Sequence, residues 1–378
     1  MDYYIDYSYK SINKHGEELC GDNVEIVQKK DGVILVLADG LGSGVKANIL
    51  ATLTSKIAVT MLKEGLSIDE VLETITNTLP VCSKRQLAYS TFTIIDMKDN
   101  GEVYMIEYEN PSSFSYRLGK KFKLIKKERE INNKRILESY FKMRKGDFLI
   151  VVSDGVVHAG VGELLNLGWQ WENVDNYLEN LVKLEDKSEA ITQGLIDVCR
   201  NLYNEKAGDD TTVCTLTLKE RVYGDLFTGP PKNMEHDKEF FRKFRESKGY
   251  TIVSGGTTAN IIARELKENV EIDLSKFNGT LPPTGNIKGV NLVTEGLLTL
   301  NRVVEILRNN EEFNDCGASR IIKILNRCTN INIHLGKAIN AAHQNPDFPE
   351  EFNLKAKVVG ELKKLLEEQG KIVNVIEL

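Results

Sequence analysis

Residues 33–44 read V-I-L-V-L-A-D-G-L-G-S-G, an apolar β-branched run followed by an aspartate and a glycine-rich turn. The apolar run predicts a buried strand, and a Lys-Lys-Asp-Gly turn connects it to an earlier strand at Val24–Gln28. After Gly44 the apolar residues recur at helical spacing until Gly65. The predicted apolar face of this helix consists of Val45, Ile49, Leu50, Leu53, Ile57 and Met61. Asp39 is therefore expected at the end of a buried strand, just before a long helix.

The rest of residues 1–218 alternates short strands with helices. A capping box at Ser67 and Glu70 predicts the start of a second helix. Further strands are predicted at Ser90–Asp96, Glu102–Glu107, Ser113–Leu118, Lys121–Ile125, Ile136–Lys142, Asp147–Ser153 and Thr211–Leu218, and helices at Glu172–Val182 and Ser188–Tyr203. Because most strand connections are short, the sheets should be largely antiparallel. This order predicts an α+β fold, a β-sandwich flanked by helix pairs.

A domain boundary is predicted within residues 219–233, which contain Gly229-Pro230-Pro231 and few periodic apolar residues. It divides the chain into residues 1–220 and a smaller α/β domain, residues 221–378. In the second domain, strands are predicted at Tyr250–Val253, Val270–Leu274 and Ile372–Ile376, and helices up to Lys267, at Val293–Leu307, at Asp315–Leu325 and before Gly370.

Composition restricts the class of protein. The 378 residues are 41% hydrophobic and 28% charged, with a net charge of −6, which is the balance of a globular protein. Lys and Arg residues do not cluster strongly in any segment, so a nucleic-acid partner is disfavoured. The six cysteines form no C-x-x-C pair. The N-terminus does not resemble a signal peptide, and the apolar runs are too short to span a membrane. A cytoplasmic protein without a membrane partner is expected.

Four short motifs place aspartate beside glycine, two of them directly after strongly apolar strands. They are Cys20-Gly21-Asp22-Asn23, Ala38-Asp39-Gly40-Leu41-Gly42-Ser43-Gly44, Ser153-Asp154-Gly155-Val156 and Gly208-Asp209-Asp210-Thr211-Thr212. Taken singly, an Asp-Gly pair is an ordinary turn signal. Taken together, several carboxylates near a core are costly unless they are paired or bind a cation. Oxygen-only ligands favour Mg²⁺ or Mn²⁺.

These motifs, in this order, resemble the PPM family of metal-dependent serine/threonine phosphatases (type 2C), in its bacterial SpoIIE-like branch. The resemblance covers residues 1–218 and includes Tyr89-Ser90-Thr91-Phe92 with Asp96, and Asn110-Pro111. It implies a two-layered β-sandwich with two metal ions at one end. Carried over residue by residue, it implies the following ligands: Asp39 bridging both ions, the Gly40 carbonyl, Asp154, Asp209, and, directly or through water, Asp22 and Asp210.

The implied activity is hydrolysis of phosphoserine or phosphothreonine on a bacterial regulatory protein. In such enzymes a hydroxide between two cations attacks phosphorus, and no cysteine nucleophile is needed. The general acid is harder to assign, and His158 and His15 are the candidates. The phosphate-binding arginine of some family members has no clear counterpart; Arg85 and Arg117 are the alternatives.

The C-terminal domain contains Ser254-Gly255-Gly256-Thr257-Thr258 between a predicted strand and helix. Backbone N–H groups at such a turn suit an anion, such as a phosphate or nucleotide. An ordinary strand-to-helix turn without a ligand has the same sequence pattern. The motif is neither a Walker A loop nor G-x-G-x-x-G. The domain could also dock the substrate or form a dimer. Two other hypotheses stay open: a phosphatase-like sensor without turnover, and a protein that acts mainly through this C-terminal site.

Overall fold

The computed structural model describes residues 3–78, 90–131, 134–273, 282–309, 311, 316–338 and 350–378. Within it the chain divides into two compact units, Met1–Glu220 and Arg221–Leu378. Arg85, one of the two arginines considered for phosphate binding, lies outside the described residues.

The first unit contains eleven of the described strands and five of the described helices. The strands are β1 (Tyr3–Ile12), β2 (Asp22–Lys29), β3 (Gly32–Gly40), β4 (Ser90–Lys98), β5 (Glu102–Tyr108), β6 (Phe114–Arg117), β7 (Lys120–Lys121), β8 (Lys127–Ile131), β9 (Lys134–Lys142), β10 (Phe148–Val152) and β11 (Thr211–Glu220). The helices are α1 (Gly44–Lys63), α2 (Ile68–Thr78), α3 (Asp154–Val157), α4 (Trp171–Leu184) and α5 (Ser188–Leu202).

Two antiparallel sheets form the centre of this unit, in the strand orders β1-β11-β10-β6-β7 and β2-β3-β4-β5-β9-β8. Alternate residues of a strand point to opposite faces. Leu35 and Leu37 of β3 therefore pack in one buried cluster with Leu149 and Leu216 of the other sheet. Val36 instead contributes to a cluster with α1 and α2, and α4 and α5 cover the second sheet. The predicted β-sandwich flanked by helix pairs is confirmed.

The buried face of α1 differs from the predicted one. Val45, Ile49 and Leu53 are 61%, 52% and 43% exposed, while Ala47 is fully buried. Small residues let the helix backbone approach β3 so closely that a Cβ on Gly40 would lie 2.0 Å from the Ala47 carbonyl oxygen. By length and composition α1 also resembles a membrane span, with 39% of its apolar window buried, but buried core helices pass the same test.

The second unit contains seven of the described strands. They are β12 (Tyr223–Thr228), β13 (Tyr250–Ser254), β14 (Glu271–Asp273), β15 (Thr284–Asn286), β16 (Leu292–Thr294), β17 (Asn330–Leu335) and β18 (Ile372–Glu377). Its described helices are a 3₁₀ turn (Met234–His236), α6 (Asp237–Arg245), α7 (Gly256–Leu266), α8 (Leu297–Asn309), α9 (Gly317–Arg327) and α10 (Glu350–Glu368).

The sheet of the second unit has the order β14-β15-β16-β13-β12-β17-β18. Its five strands β16, β13, β12, β17 and β18 are parallel. From the central β12 the chain moves outward to β13 and β16, and then returns to β17 and β18 on the other side. Helices α6 and α7 pack on one face, and α8, α9 and α10 pack on the other. This is a doubly wound α/β sheet, in which ligands characteristically bind at the carboxyl ends of the strands.

The central strand β12 lies inside residues 219–233, where the sequence predicted a domain boundary and no strand. Its sequence Y-G-D-L-F-T is a poor local strand signal, and its partners come from far along the chain. A Cβ on Gly224 would lie 2.6 Å from the Cys328 sulfur, and Asp225 bonds to His334 at 2.8 Å. Long-range packing therefore determines this strand.

Other predicted elements need smaller corrections. The helix predicted at Val293–Leu307 begins instead at Leu297, because Leu292–Thr294 forms β16. Of the strand predicted at Lys121–Ile125, only Lys121 lies in a strand, the two-residue β7. Strands β1, β8, β15 and β17 had no counterpart in the prediction.

Candidate functional site

Asp22 and Asp39 lie on neighbouring strands of one sheet. Asp22 begins β2 and Asp39 precedes the last residue of β3, and the two are directly paired in the antiparallel register. The Gly40 amide donates to the Gly21 carbonyl at 3.1 Å. The Ser90 hydroxyl donates to the Asp39 carbonyl at 2.9 Å. The backbone around both acids is thus held by the sheet and its neighbours.

Asp154, Asp209 and Asp210 come from the other sheet. Asp154 is the first residue of α3, separated from the end of β10 only by Ser153, while Asp209 and Asp210 precede β11. The Thr212 amide donates to the Ser153 hydroxyl at 2.8 Å, which fastens the end of β10 to the start of β11. These three acids therefore lie at one end of adjacent strands.

The five carboxylates affect one another electrostatically. Burial is the main reason that the pKa of Asp39 is raised to about 9, and the charges of nearby acids add to the rise. Those acids are Asp22, Asp154, Asp209 and Asp210. Burial also raises the pKa of Asp22 to about 7, with added contributions from Asp210 and Asp154. Burial likewise raises the pKa values of Asp154 and Asp209. Because charge interactions weaken with distance, acids from both sheets lie in one neighbourhood.

Several oxygens of this group have no hydrogen-bond partner. Both carboxylate oxygens of Asp22 and the Oδ2 atom of Asp210 are buried and unpartnered within the described part of the chain. The hydroxyls of Ser153 and Thr212 lower the pKa of Asp22 in part, but they do not make good hydrogen bonds to it. Buried acceptors without donors are costly, and they indicate a missing electropositive partner.

A hard divalent cation is such a partner, since Mg²⁺ and Mn²⁺ prefer carboxylate and carbonyl oxygens. Among the residues that the structure describes, no three His, Cys, Asp or Glu side chains are gathered tightly enough to hold an ion as they are placed. The fit of these aspartates to a metal therefore rests on the chemistry and the burial of their oxygens.

Both candidate histidines are exposed. His158 follows α3, and its amide donates to the Asp154 carbonyl at 2.9 Å. The charge of His158 lowers the pKa of Asp154 and of Asp209, so the ring lies near both acids. The His15 amide donates to the Ala207 carbonyl at 2.8 Å, close in sequence to Asp209.

Arg117 does not present a free guanidinium for phosphate. Its Nε and Nη2 atoms bond to the buried carboxylate of Asp147, at 3.1 Å to Oδ1 and 2.6 Å to Oδ2. The guanidinium also lies over the Phe122 ring, 4.7 Å from its centroid. The Arg117 guanidinium is therefore already engaged by Asp147, which disfavours a role in phosphate binding.

Two residues that the sequence did not single out lie at this acidic end. The Lys14 amide donates to Asp210 Oδ1 at 3.0 Å, and its Nζ atom is 3.9 Å from Asp209 Oδ1. Glu17 accepts a hydrogen bond from the Ser43 hydroxyl at 2.9 Å, beside the start of α1. Both residues follow β1. No sequence motif surrounds them, so the sequence pattern did not identify them as site residues.

In the second unit, the predicted anion loop lies where β13 ends and α7 begins. The Ser254 hydroxyl donates to the Glu295 carbonyl at 2.8 Å. Gly255 has a φ of +123°, which side-chain-bearing residues rarely adopt. All five residues, Ser254, Gly255, Gly256, Thr257 and Thr258, line one cavity.

Comparison with known proteins gives a family match over just over half of the chain. The model of the family described as Stage II sporulation protein E (SpoIIE) matches residues 29–219. A search of curated protein sequences gave no match.

Among solved structures, the PP2C phosphatase domain of SpoIIE from Bacillus subtilis, with a fragment of its regulatory domain, is 18% identical with a TM-score of 0.49. The alignment covers 58% of this chain and 63% of that one, so this chain spans less than two thirds of its length. RsbX in complex with magnesium is 17% identical with a TM-score of 0.42, over 57% of this chain and 96% of that one. The serine/threonine phosphatase of S. agalactiae is 15% identical with a TM-score of 0.44, over 57% and 100%. On the family match over residues 29–219, the chain belongs to the SpoIIE family.

Proposed function

We propose that the first unit is a serine/threonine protein phosphatase that depends on two Mn²⁺ or Mg²⁺ ions. The observation that carries the proposal is the mutual electrostatic influence of five acids at the strand ends of two sheets, Asp22, Asp39, Asp154, Asp209 and Asp210. Buried oxygens of Asp22 and Asp210 are left unpartnered among the described residues. A purely structural acid cluster would be expected to have matching basic partners. Lys14, whose Nζ atom is 3.9 Å from Asp209 Oδ1, is a basic group beside this cluster of five acids.

The proposed roles of the residues follow from their positions. Asp39 interacts electrostatically with Asp22 of its own sheet and with the acids of the other sheet, which suits a ligand shared by two ions. The Gly40 carbonyl, Asp154 and Asp209 complete the proposed ligand set, with Asp22 and Asp210 as direct or water-mediated ligands. When bound, such ions supply activated water and charge neutralisation for hydrolysis of a phosphate ester.

His158 is the better placed of the two proposed general acids, because its charge reaches both Asp154 and Asp209. An exposed imidazole at the rim of the acidic group can hold a proton for the departing serine or threonine oxygen. His15 remains the alternative.

The proposed substrate is phosphoserine or phosphothreonine on a bacterial regulatory protein. Family membership supports a phosphoprotein substrate, and the exposed rim of the acidic group leaves room for a protein surface. The described cysteines are free thiols, which suits the reducing cytoplasm in which the proposal places the reaction.

The test is hydrolysis of an aryl phosphate and of phosphoserine, phosphothreonine and phosphotyrosine peptides by the whole chain with Mn²⁺. We expect activity that chelation abolishes, with a preference for the serine and threonine peptides. Asp154→Asn should lower kcat on the order of 100-fold or more, since it removes a proposed ligand of the ions whose charge would stabilise the transition state.

Asp186→Asn is the matched control, because Asp186 is exposed and lies outside the acidic group. It should retain full activity. Activity without a divalent cation, or activity unchanged by Asp154→Asn, would contradict the proposal. Mn²⁺ binding without any turnover would favour the alternative of a catalytically silent sensor.

A further inference from the structure

The second unit has a cavity of about 710 Å³ that the proposed phosphatase activity does not use. Its walls come from the carboxyl ends of β12, β13 and β16 and from the residues that follow β17. In a doubly wound sheet these ends lie at one edge, where the reversal of strand order opens a crevice. The cavity is thus located where the topology of the fold places a ligand.

The amino terminus of α7 forms one wall of the cavity. Gly255, the residue before α7, makes no side-chain cap, and the first N–H groups of an α-helix have no partner within the helix. A helix start of this kind attracts anions through its N–H groups and its dipole. A Cβ on Gly256 would meet no atom within 4 Å, so a ligand can approach this backbone closely.

Thr258 provides an independent indication of a ligand. Its side chain is fully buried, it lines the cavity, and its Oγ1 atom has no hydrogen-bond partner among the described residues. A Cβ on Gly255 would lie 3.4 Å from this Oγ1 atom, so the hydroxyl points toward the open helix start. An unmade hydrogen bond at a fully buried hydroxyl costs free energy, and an oxyanion at the start of α7 would supply the acceptor.

Three basic side chains around the cavity are a further indication of an anionic ligand. Lys232 is exposed on the cavity wall. Lys355 also lines the cavity. Arg264, the third cation of the wall, is held by Asp237 at 2.8 Å. A phosphate at the start of α7 would therefore meet positive charge as well as N–H donors.

Glu295 supplies a second, different kind of group. It directly follows β16, next to β13, and the Gly255 amide donates to the preceding Thr294 carbonyl at 3.0 Å. The Oε2 atom of Glu295 is buried and lacks a partner in the described part of the chain. A carboxylate at the end of the strand that neighbours a phosphate-binding turn suits the hydroxyls of a ribose. Ile261 and Leu297 add apolar wall on which a base can lie.

We infer that this cavity binds a ribonucleoside phosphate, with its phosphate at the start of α7, its ribose hydroxyls on Glu295 and its base against the apolar wall. The volume suits such a ligand, since small-molecule sites usually enclose about 300–1,000 Å³. The inference is independent of phosphate ester hydrolysis by the first unit.

The experiment is isothermal titration of the full-length chain with ADP, GDP, CDP, UDP, 2′-deoxyADP and inorganic phosphate, each alone. Excess chelator keeps divalent cations away from the first unit. We expect saturable binding of at least one ribonucleoside diphosphate, with weaker binding of inorganic phosphate. Thr258→Val keeps the shape of the side chain and should weaken binding about tenfold, the effect of one hydrogen bond to a charged group.

Two further variants separate the parts of the ligand. Lys232→Gln should weaken binding of the nucleotide and of inorganic phosphate alike, whereas Lys288→Gln, at an exposed lysine outside the cavity, should change neither. Glu295→Gln should weaken nucleotide binding but not phosphate binding. If adenine nucleotides bind, it should also remove the preference for ADP over 2′-deoxyADP, a change that general loosening of the fold would not produce.

Melting temperatures of the variants identify any that fail to fold. No binding of any diphosphate at millimolar concentration would overturn the inference. Binding of inorganic phosphate but of no nucleotide would also overturn it. The inference would likewise fail if Thr258→Val and Glu295→Gln were both folded and bound nucleotide as the wild type does.

Discussion

The two units of this protein both leave buried polar atoms at the ends of strands, and the ligands proposed for them have opposite charge. In the first unit the strand ends carry aspartates, and Asp22 and Asp210 keep unpartnered oxygens. In the second unit the strand end leads into an uncapped helix start beside the unpartnered hydroxyl of Thr258. Side-chain carboxylates favour the binding of cations, whereas exposed backbone N–H groups favour the binding of anions. The charge of the proposed ligand thus differs because side-chain carboxylates occupy one strand end and backbone N–H groups the other.

The glycines of the two sites should respond very differently to substitution. Gly40→Ala places a Cβ 2.0 Å from the Ala47 carbonyl oxygen, so β3 or α1 must move, and we expect a loss of at least about 3 kcal/mol of unfolding free energy. Gly256→Ala should cost almost nothing, because its Cβ meets no atom within 4 Å. Chemical denaturation of both variants measures the contrast, and equal stabilities would contradict the close approach of α1 to β3.

Removal of a buried carboxylate should destabilise the second unit. Asp225 is 4% exposed and bonds to His334 Nε2 at 2.8 Å and to Asn332 Nδ2 at 3.2 Å. Asp225→Asn weakens both contacts, and we expect a loss of about 1–3 kcal/mol. Denaturation of the full-length variant, followed by a probe in the second unit, checks the loss.

The opposite sign is expected for a carboxylate of the first unit when divalent cations are absent. Burial and four neighbouring acids raise the pKa of Asp39, because its charged form is unfavourable in the metal-free fold. Asp39→Asn removes that unfavourable group. We expect a gain of about 1 kcal/mol, which corresponds to roughly 2–4 °C in melting temperature for a domain of this size.

Excess Mn²⁺ should reverse that order of stability. Binding at 100 times Kd stabilises a protein by about 2.7 kcal/mol, and Asp39→Asn should lose most of this gain. Thermal melting of the wild type and of Asp39→Asn, each with and without Mn²⁺, gives the four melting temperatures to compare. A variant that is less stable than the wild type in chelator would indicate that Asp39 is a structural acid.

A small loss of stability should come from removal of a helix cap. At α2 the Ser67 hydroxyl and the Glu70 carboxylate cap each other's amides, at 3.4 Å and 2.8 Å, in contrast to the open start of α7. Ser67→Ala should cost about 0.5–1 kcal/mol. Urea denaturation measures the difference, and no change would indicate that solvent replaces this cap.

The fold of the first unit could be predicted because its signals are local. The apolar runs at β3 and β10, the capping box at Ser67 and the aspartates after the strands are all visible in short windows of sequence. The face of α1 could not be predicted in the same way. Apolar spacing selected Val45, Ile49 and Leu53, but small residues such as Ala47 pack against the sheet because the backbones approach closely.

The second unit was predicted less well because its central strand depends on distant partners. In β12, Gly224 and Asp225 are weak strand formers, and their contacts come from Cys328 and His334, about a hundred residues later. The alternation of Asn330–Leu335 is a strand signal that sequence can supply. The glycine turn at Gly255 was visible in the sequence, but neither the buried hydroxyl beside it nor its position at the carboxyl edge of the sheet was.

The central claim is that the aspartates of the first unit together hold a pair of divalent cations. The most direct test is titration of the chelator-stripped chain with Mn²⁺, followed by electron paramagnetic resonance and calorimetry. The account predicts two saturable ions per chain with spin coupling between them, and loss of the coupled signal in Asp39→Asn. Absence of saturable Mn²⁺ binding, or binding that Asp39→Asn and Asp154→Asn leave intact, would contradict it.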